Sequence, residues 1–198
     1  MTATVPDLAN NNTESSGAGL FLRRWVASPL RMGSVIPSSR ALCGHIVRCG
    51  WPPTGGVALD LGAGTGVISR AFLEAGLPPE RLISVEIDQN LVVRLRHTLP
   101  GITVIDGDAR TLPDLLPGHV TGRIRSIICG IPLVLLPLKE QRRFIDAMRA
   151  VAPGWGFLHY SYCVTSPLPA RKHGLIGQRV AWTPLNFPPA SVWRYMPA

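Results

Sequence analysis

The chain of 198 residues is long enough for one domain with a single hydrophobic core. Apolar residues make up 46% of it, yet no run reaches the ~18 uninterrupted apolar residues that a membrane-spanning helix needs. The net charge of +8 comes from the two ends, because residues 51–146 carry equal numbers of basic and acidic side chains. An excess of this kind attracts polyanions, and both nucleic acid and an anionic membrane surface fit.

Residues 1–18 are predicted to form a disordered tail. They are polar and lack the basic and apolar regions of a secretory signal peptide, so we expect a cytoplasmic protein. The four cysteines form no C-x-x-C pair and have no histidine at metal-ligand spacing, so we expect free thiols and no metal site. These cysteines are Cys43, Cys49, Cys129 and Cys163.

A short amphipathic helix is predicted over residues 20–28. Its apolar face carries Phe21 and Trp25, and Arg23 and Arg24 lie on the opposite face. Two uses fit this pattern, a lid that packs on the rest of the domain and a helix that lies in a membrane surface.

Residues 19–198 are predicted to be one domain, and residues 19–50 form its helical entry. A second helix is expected over residues 41–47, with Ser38 or Ser39 as its N-cap. From there on, apolar strands alternate with helical patterns, which implies a parallel sheet. The strands are predicted over residues 57–61, 81–86, 102–105, 124–129, 156–162, 179–184 and 191–195, and the helices over residues 67–75, 89–98 and 139–151.

This pattern predicts an α/β fold with a seven-stranded, mostly parallel sheet. The last two strands have no helix between them, so they are expected to form an antiparallel edge. No internal repeat and no second domain is evident.

The segment from Asp60 to Gly66 reads D-x-G-x-G-x-G at a strand-to-helix turn. It differs from the dinucleotide fingerprint G-x-G-x-x-G, because a valine stands where the third glycine belongs. A ligand without a pyrophosphate fits better, and S-adenosylmethionine (AdoMet) has an ammonium for Asp60 and a ribosyl group that needs close backbone approach at Gly62 and Gly64. The glycines alone also fit a plain turn in any α/β protein.

Acidic residues follow at the spacing that such a cofactor requires. Glu86 ends the second strand, where a carboxylate can accept both ribose hydroxyls. Asp108 follows the third strand, in place to pair with the adenine amino group, and Ala109 would offer its backbone. Asp88 and Asp106 fit better as solvated loop carboxylates or helix caps. Together these features predict a Rossmann-like class I methyltransferase fold with AdoMet as cofactor.

A short proline turn, Cys129-Gly130-Ile131-Pro132-Leu133, follows the fourth strand. Cys129 is expected to border the cofactor, and the exposed carbonyls of the turn can accept hydrogen bonds from a substrate amine.

From about Phe21 to Tyr195 the chain resembles the short bacterial phospholipid N-methyltransferases. These enzymes convert phosphatidylethanolamine to phosphatidylcholine and are distant relatives of the ribosomal RNA adenine dimethyltransferases. The resemblance rests on the proline turn and on three further stretches: Gly33 to Ser39, Tyr162 with Ser166-Pro167, and Asn186 to Tyr195. Trp155 and Cys163 depart from glycines in the family pattern.

The resemblance implies methyl transfer from AdoMet to the amino head group of phosphatidylethanolamine and of its mono- and dimethyl forms. Tyr162 and the carbonyls of Gly130 and Ile131 would then hold the nitrogen. It also implies a peripheral enzyme on the inner face of the cytoplasmic membrane, with a phospholipid substrate and an anionic surface as partners. The residues expected to meet lipid or membrane are Phe21, Arg23, Arg24, Trp25, Ser38, Ser39, Arg171, Lys172 and Arg179.

Three alternatives remain open. Ornithine lipid also presents a primary amine near an interface. An RNA adenine N6-methyltransferase fits the positive charge, but such enzymes carry an aromatic residue at the position of Leu133 that stacks on the base, and the rRNA enzymes have a helical domain after the sheet. An AdoMet-sensing membrane module without catalysis is the non-enzymatic alternative.

Overall fold

The computed structural model describes residues 39–161, 166–185 and 189–198. Six residues with a predicted role lie outside these ranges, so their roles stay predictions: Phe21, Arg23, Arg24, Trp25, Ser38 and Tyr162.

Helices and strands alternate through the described residues, much as the sequence pattern predicts. The strands are β1 (Val57–Leu61), β2 (Leu82–Glu86), β3 (Thr103–Asp106), β4 (Ile124–Cys129), β5 (Phe157–Ser161), β6 (Leu175–Thr183) and β7 (Ala190–Pro197). The α-helices are α1 (Arg40–Gly50), α2 (Val67–Glu74), α3 (Gln89–Thr98), α4 (Leu112–Leu115), α5 (Gly118–Thr121) and α6 (Leu138–Val151). Short 3-10 helices precede β2, α4, α6 and β6.

The seven strands form one sheet in the order β3-β2-β1-β4-β5-β7-β6. Strands β1 to β5 pair in parallel, and β7 runs antiparallel to both β5 and β6. The prediction of a seven-stranded, mostly parallel sheet is confirmed. The antiparallel strand lies one position inside the edge, because β7 inserts between β5 and β6.

Strand β6 begins earlier than the sequence pattern predicts, at Leu175 rather than residue 179. The sequence does not indicate this part of the strand, because it contains Gly177 and a glycine weakens the prediction of a strand. Here the glycine is needed, because a methyl group at Gly177 would lie 2.8 Å from the ring of Tyr195 on β7.

Helix α1 closes one side of the sheet near β5. Ser39 caps it by accepting a hydrogen bond from the N–H of Leu42 at 3.2 Å, as predicted for Ser38 or Ser39. Leu42 and Ile46 are wholly buried in a cluster with Phe72 of α2. Helix α6 buries Phe144, Ile145 and Met148. None of the helices within the described ranges is long and apolar enough to cross a membrane.

The ends of the parallel strands lie along two opposite sides of the sheet, which are distinct from its outermost strands. We call the side where strands β1 to β5 end the carboxyl edge, and the side where they begin the amino edge. Strand β6 also ends at the carboxyl edge, because it is antiparallel to β7, which is itself antiparallel to β5. In open α/β sheets, ligands bind outside the carboxyl ends of the strands.

Candidate active site

The glycine loop after β1 approaches the turn after β4 closely. Gly62 has a φ of 68°, its N–H donates to the carbonyl of Val85 at 2.9 Å, and a methyl group here would lie 2.8 Å from Cγ1 of Ile131. Gly64 has a φ of 57°, and a methyl group on it would meet only the carbonyl of Gly62, at 3.9 Å. Gly62 therefore permits loop-to-turn contact, and Gly64 leaves backbone that a ligand can reach.

Gly66, the last glycine of the motif predicted to bind the cofactor, also permits close packing of two helices. It is the N-cap of α2, and a methyl group here would lie 2.6 Å from Cδ2 of Leu95 and 2.9 Å from Cδ1 of Leu99. This glycine lets α2 pack against the side chains of α3, and its predicted contact with the cofactor stays a prediction.

Glu86 connects the loops of the carboxyl edge. Its Oε2 accepts the N–H of Gly64 at 2.8 Å, and its Oε1 accepts those of Ile87 and Asp88 at 2.8 and 3.0 Å. Its backbone carbonyl accepts the N–H of Gly107 in the loop after β3. The two amides on Oε1 use both of its lone pairs, whereas Oε2 accepts only one amide, so the buried group can still accept from the ribose through Oε2.

Asp60 lies beneath the glycine loop and is almost completely buried. Ser69 of α2 donates its hydroxyl to Oδ2 of Asp60 at 2.6 Å, and the Ser84 hydroxyl lies 2.8 Å from that of Ser69. Burial raises the pKa of Asp60 to about 6, the hydrogen bond from Ser69 opposes this, and the negative charge of Glu86 adds to it. A ligand ammonium above the loop would offset this penalty, which fits the predicted role.

Asp60 makes the stability of the fold depend on pH. An unfolded aspartate has a pKa near ~3.9, so between about pH 4 and pH 6 the folded chain binds a proton that the unfolded chain has lost. The stability from this group is present below that window and is lost as the pH rises through about 6. Asp60→Asn cannot ionise, so we expect its free energy of unfolding to improve relative to the native chain by about 2 kcal/mol between pH 4 and pH 7.

The comparison with the native chain is essential, because other groups titrate in the same window. Burial lowers the pKa of His159 to about 4, so its contribution to stability falls as the pH falls. Urea unfolding of both chains at several pH values isolates Asp60. A difference that stays constant with pH would mean that Asp60 keeps its ordinary pKa in the fold.

Asp108 is already held by an arginine that the sequence analysis did not single out. Nε of Arg110 donates to both oxygens of Asp108 at 3.0 and 2.9 Å, and its Nη1 donates to Oε2 of Glu140 on α6 at 2.7 Å. Burial alone would raise the pKa of Asp108, but these hydrogen bonds outweigh it and hold the pKa below its usual value. Asp108 therefore stays ionised, a state that can accept the adenine amino group.

The N–H of Ala109 is the other predicted contact for adenine. Ala109 begins the 3-10 helix that Asp108 caps, and no described residue accepts a hydrogen bond from its N–H. The donor remains available, as the prediction requires.

The two carbonyls of the proline turn that were predicted to hold the amine differ in their hydrogen bonds. The carbonyl of Gly130 receives no hydrogen bond from the described residues, whereas that of Ile131 accepts the N–H of Leu133 at 2.7 Å. The side chain of Ile131 packs against Gly62. The Gly130 carbonyl is therefore open to a further hydrogen bond, whereas Ile131 supports the turn, and the predicted amine contacts of both carbonyls stay predictions.

Cys129 supports the turn, and its predicted contact with the cofactor stays a prediction. Its thiol is wholly buried, lies 3.9 Å from the carbonyl of Ile131, and burial raises its pKa to about 12. Its backbone carbonyl is taken by Nδ1 of His159 on β5 at 2.9 Å. This bond requires the proton on Nδ1, so a histidine given no role from sequence holds the last residue of β4 in place.

Tyr160 reaches the turn, although the sequence analysis named Tyr162. A methyl group at Gly130 would lie 2.7 Å from the Tyr160 hydroxyl oxygen and 3.1 Å from the carbonyl of Gly62. Tyr160 and Tyr162 are two residues apart in the sequence, a spacing that gives both the same position in an alternating strand pattern, so the sequence alone does not separate them. Tyr160 is the aromatic residue that the described structure places at the turn.

The basic residues predicted to meet lipid phosphate are dispersed. Arg171 and Lys172 lie in the 3-10 helix before β6, beside α6, where Nη2 of Arg142 donates to the Lys172 carbonyl at 2.9 Å. Arg179 lies on β6 opposite Trp193 of β7. It is at the same level of the sheet as Cys129, but three strands away from it. All three are exposed, but the structure does not bring them together with the proline turn.

The arrangement fits AdoMet on four points: open backbone at Gly64, a buried carboxylate at Glu86, an ionised Asp108 and a free donor at Ala109. The strand order with β7 inserted between β5 and β6 is that of the class I methyltransferase fold. The fold and the site together define an AdoMet-dependent methyltransferase.

Comparisons with known proteins agree with this class. A family model described as a methyltransferase domain matches residues 58–154. The structure of magnesium protoporphyrin IX methyltransferase from Synechocystis PCC 6803, solved with bound AdoMet, matches with a TM-score of 0.55 at 15% identity, over 96% of this chain and 86% of that one. At this identity the likeness shows the fold alone.

Two curated relatives differ in their acceptors. An ornithine lipid N-methyltransferase from Singulisphaera acidiphila is 28% identical over 142 residues, which cover 70% of this chain and 74% of the relative. A probable ribosomal RNA small subunit methyltransferase A from Methanospirillum hungatei is 30% identical over 49% of this chain. The match spans only 42% of that second relative's length.

Proposed function

We propose that the protein transfers methyl groups from AdoMet to the primary amine of a membrane lipid head group. The observation that carries this proposal is the buried leucine at the end of the proline turn. Leu133 has no exposed surface, so the position that base-methylating enzymes give to a stacking aromatic residue offers no platform here.

The lipid class has support from two directions. The resemblance to phospholipid N-methyltransferases favours phosphatidylethanolamine as the acceptor, and the similarity to an ornithine lipid N-methyltransferase favours ornithine lipid. Both lipids present a primary amine at a membrane surface. The protein would act there as a peripheral enzyme, with the bilayer as its partner.

AdoMet supplies an electrophilic methyl on a sulfonium, and the attacking nitrogen gains the positive charge that the sulfur loses. The chain's part is alignment, since in-line displacement depends on geometry more than on a strong base. The Gly130 carbonyl can accept an N–H from the amine and so direct its lone pair. Tyr160 adds a hydroxyl beside Gly130 and an aromatic face that tolerates a cation.

The amine must be neutral before it attacks. A primary ammonium titrates near ~10, and a site that removes it from water lowers that value. His159 does not fit the task of base, because its Nδ1–H is committed to the Cys129 carbonyl and burial holds its pKa at about 4. Desolvation at the turn is therefore the means by which the proton is lost to solvent.

Labelled AdoMet tests the proposal directly. We expect label in the lipid fraction when the protein is incubated with vesicles that contain phosphatidylethanolamine or ornithine lipid. The matched control is N-acetylated phosphatidylethanolamine, which has the same phosphate and acyl chains but no nucleophilic nitrogen, and should take no label. Equal label in the acetylated lipid, or label in ribosomal RNA alone, would contradict the proposal.

A further inference from the structure

Five exposed apolar side chains lie at the carboxyl edge of the sheet. Val134 and Leu135 follow the proline turn directly, and Leu138 is the first residue of α6. Leu135 is 52% exposed and Leu138 is 46% exposed. Strand β6 brings Trp182, 50% exposed, to the same edge, and the exposed Leu185 follows it. These five residues form what we call the apolar rim.

Positive charge lies directly behind the rim on α6. Lys139 and Arg142 are exposed in the first turns of this helix. Glu140, which lies between them in sequence, is buried and turned inward onto Arg110 at 2.7 Å. The outer surface of these turns is therefore cationic next to the exposed leucines.

We infer that the apolar rim enters the interfacial layer of a lipid bilayer, so that the proline turn opens towards the head groups. The inference rests on the proposed function, because a lipid amine must reach Gly130 at this same edge. Leucine and tryptophan side chains with lysine and arginine behind them match the boundary between acyl chains and anionic head groups. Phosphates of a nucleic acid would gain nothing from the exposed leucines.

Strand β6 provides an internal control, since its two ends lie at opposite edges of the sheet. Ile176, the second residue of β6, is 61% exposed at the amino edge. It is at least as exposed as Trp182 on the same strand, yet the orientation places it away from the bilayer. If vesicle binding depended on exposed apolar surface in general, replacing Ile176 would weaken it as much as replacing residues of the rim.

The test is sedimentation with vesicles of phosphatidylcholine and phosphatidylglycerol. We expect Leu135→Asp combined with Leu138→Asp to lower the vesicle partition coefficient at least about tenfold, because two apolar side chains no longer leave water. Ile176→Asp should change it by less than about twofold, on the same scale. Equal losses in the two variants, or no loss in the double variant, would overturn the inference, provided that both keep the native melting temperature and AdoMet affinity.

Methyl transfer to a short-chain phosphatidylethanolamine dissolved as monomers separates the rim from the chemistry. The double variant should methylate the dissolved lipid at the native rate and vesicle lipid much more slowly. Rim-dependent vesicle binding without methyl transfer to any lipid would sink the proposed function and leave the rim in place. A double variant that loses ribosomal RNA binding and keeps vesicle binding would assign this edge to nucleic acid instead.

Discussion

Replacing Glu86 with glutamine is expected to weaken AdoMet binding by at least about a hundredfold. The substitution removes a charged acceptor for the ribose hydroxyls, and hydrogen bonds to charged groups contribute about 1.5–3 kcal/mol each. In the native chain the Glu86 carboxylate accepts the backbone N–H groups of Gly64, Ile87 and Asp88. In the variant the amide NH₂ of glutamine would face such N–H groups, and two donors cannot form a hydrogen bond. Isothermal titration of the variant with AdoMet measures the loss.

Asp88→Asn is the matched control for this prediction. Asp88 lies two residues away and caps α3 by accepting the N–H groups of Asn90 and Leu91 at 2.9 and 3.1 Å. Asparagine caps helices as well as aspartate, so the variant removes one nearby negative charge and keeps the helix start. We expect AdoMet affinity within about twofold of the native value, on the scale of exposed charge effects. If the Glu86→Gln variant bound AdoMet with the same affinity as the Asp88→Asn variant, the ribose would not lie on Glu86.

Gly62→Ala is expected to reduce methyl transfer by about a hundredfold, because a 1 Å displacement of a reacting group costs about that much in rate. The new methyl would lie 2.8 Å from Cγ1 of Ile131 and 3.4 Å from its backbone nitrogen, so the proline turn must move away from the glycine loop. The positive φ of 68° adds backbone strain of about 1 kcal/mol. Initial rates at saturating AdoMet and acceptor measure the effect.

Gly55→Ala separates the strain from the contact. Gly55 has a φ of 75°, close to that of Gly62, but a methyl group on it meets nothing within 4 Å. This variant should lose about 1 kcal/mol of stability from the backbone conformation and keep the native rate. A rate for Gly62→Ala equal to that of Gly55→Ala would show that the approach of loop and turn does not matter for transfer.

The cofactor end of the site was predictable from sequence because it depends on local order. Each strand of a parallel sheet ends at the same edge, so acids at the end of β2 and after β3 must lie at the same edge of the sheet as the glycine loop. Glu86 and Asp108 come after apolar runs that identify these strands unambiguously. The N-cap role of Asp88 was predictable for the same reason, since a helical pattern follows it at once.

The support of the site was not predictable, because it depends on contacts between distant parts of the chain. Arg110 reads as one more surface arginine until α6 folds back and brings Glu140 to its guanidinium, 30 residues away in sequence. His159 has no partner in its own strand, since its hydrogen bond crosses to the Cys129 carbonyl on β4. Neither pairing leaves a local spacing that could reveal it.

Gly66 and Ile131 show the opposite difficulty, where a motif position has a use that the motif does not reveal. Both lie in segments that the sequence links to ligand binding. The structure gives them packing roles, against Leu95 for Gly66 and against Gly62 for Ile131. Only the neighbouring atoms reveal that such a position also serves packing.

We expect AdoMet to lie on the glycine loop with its ribose on Glu86 and its reactive end towards Gly130. A crystal structure with S-adenosylhomocysteine, the product of methyl transfer, would show this arrangement. Both ribose hydroxyls should lie within hydrogen-bonding distance of the Glu86 carboxylate, the adenine amino group should lie at Asp108, and the sulfur should face the proline turn. A product molecule bound elsewhere, or one whose sulfur faces away from Gly130, would contradict it.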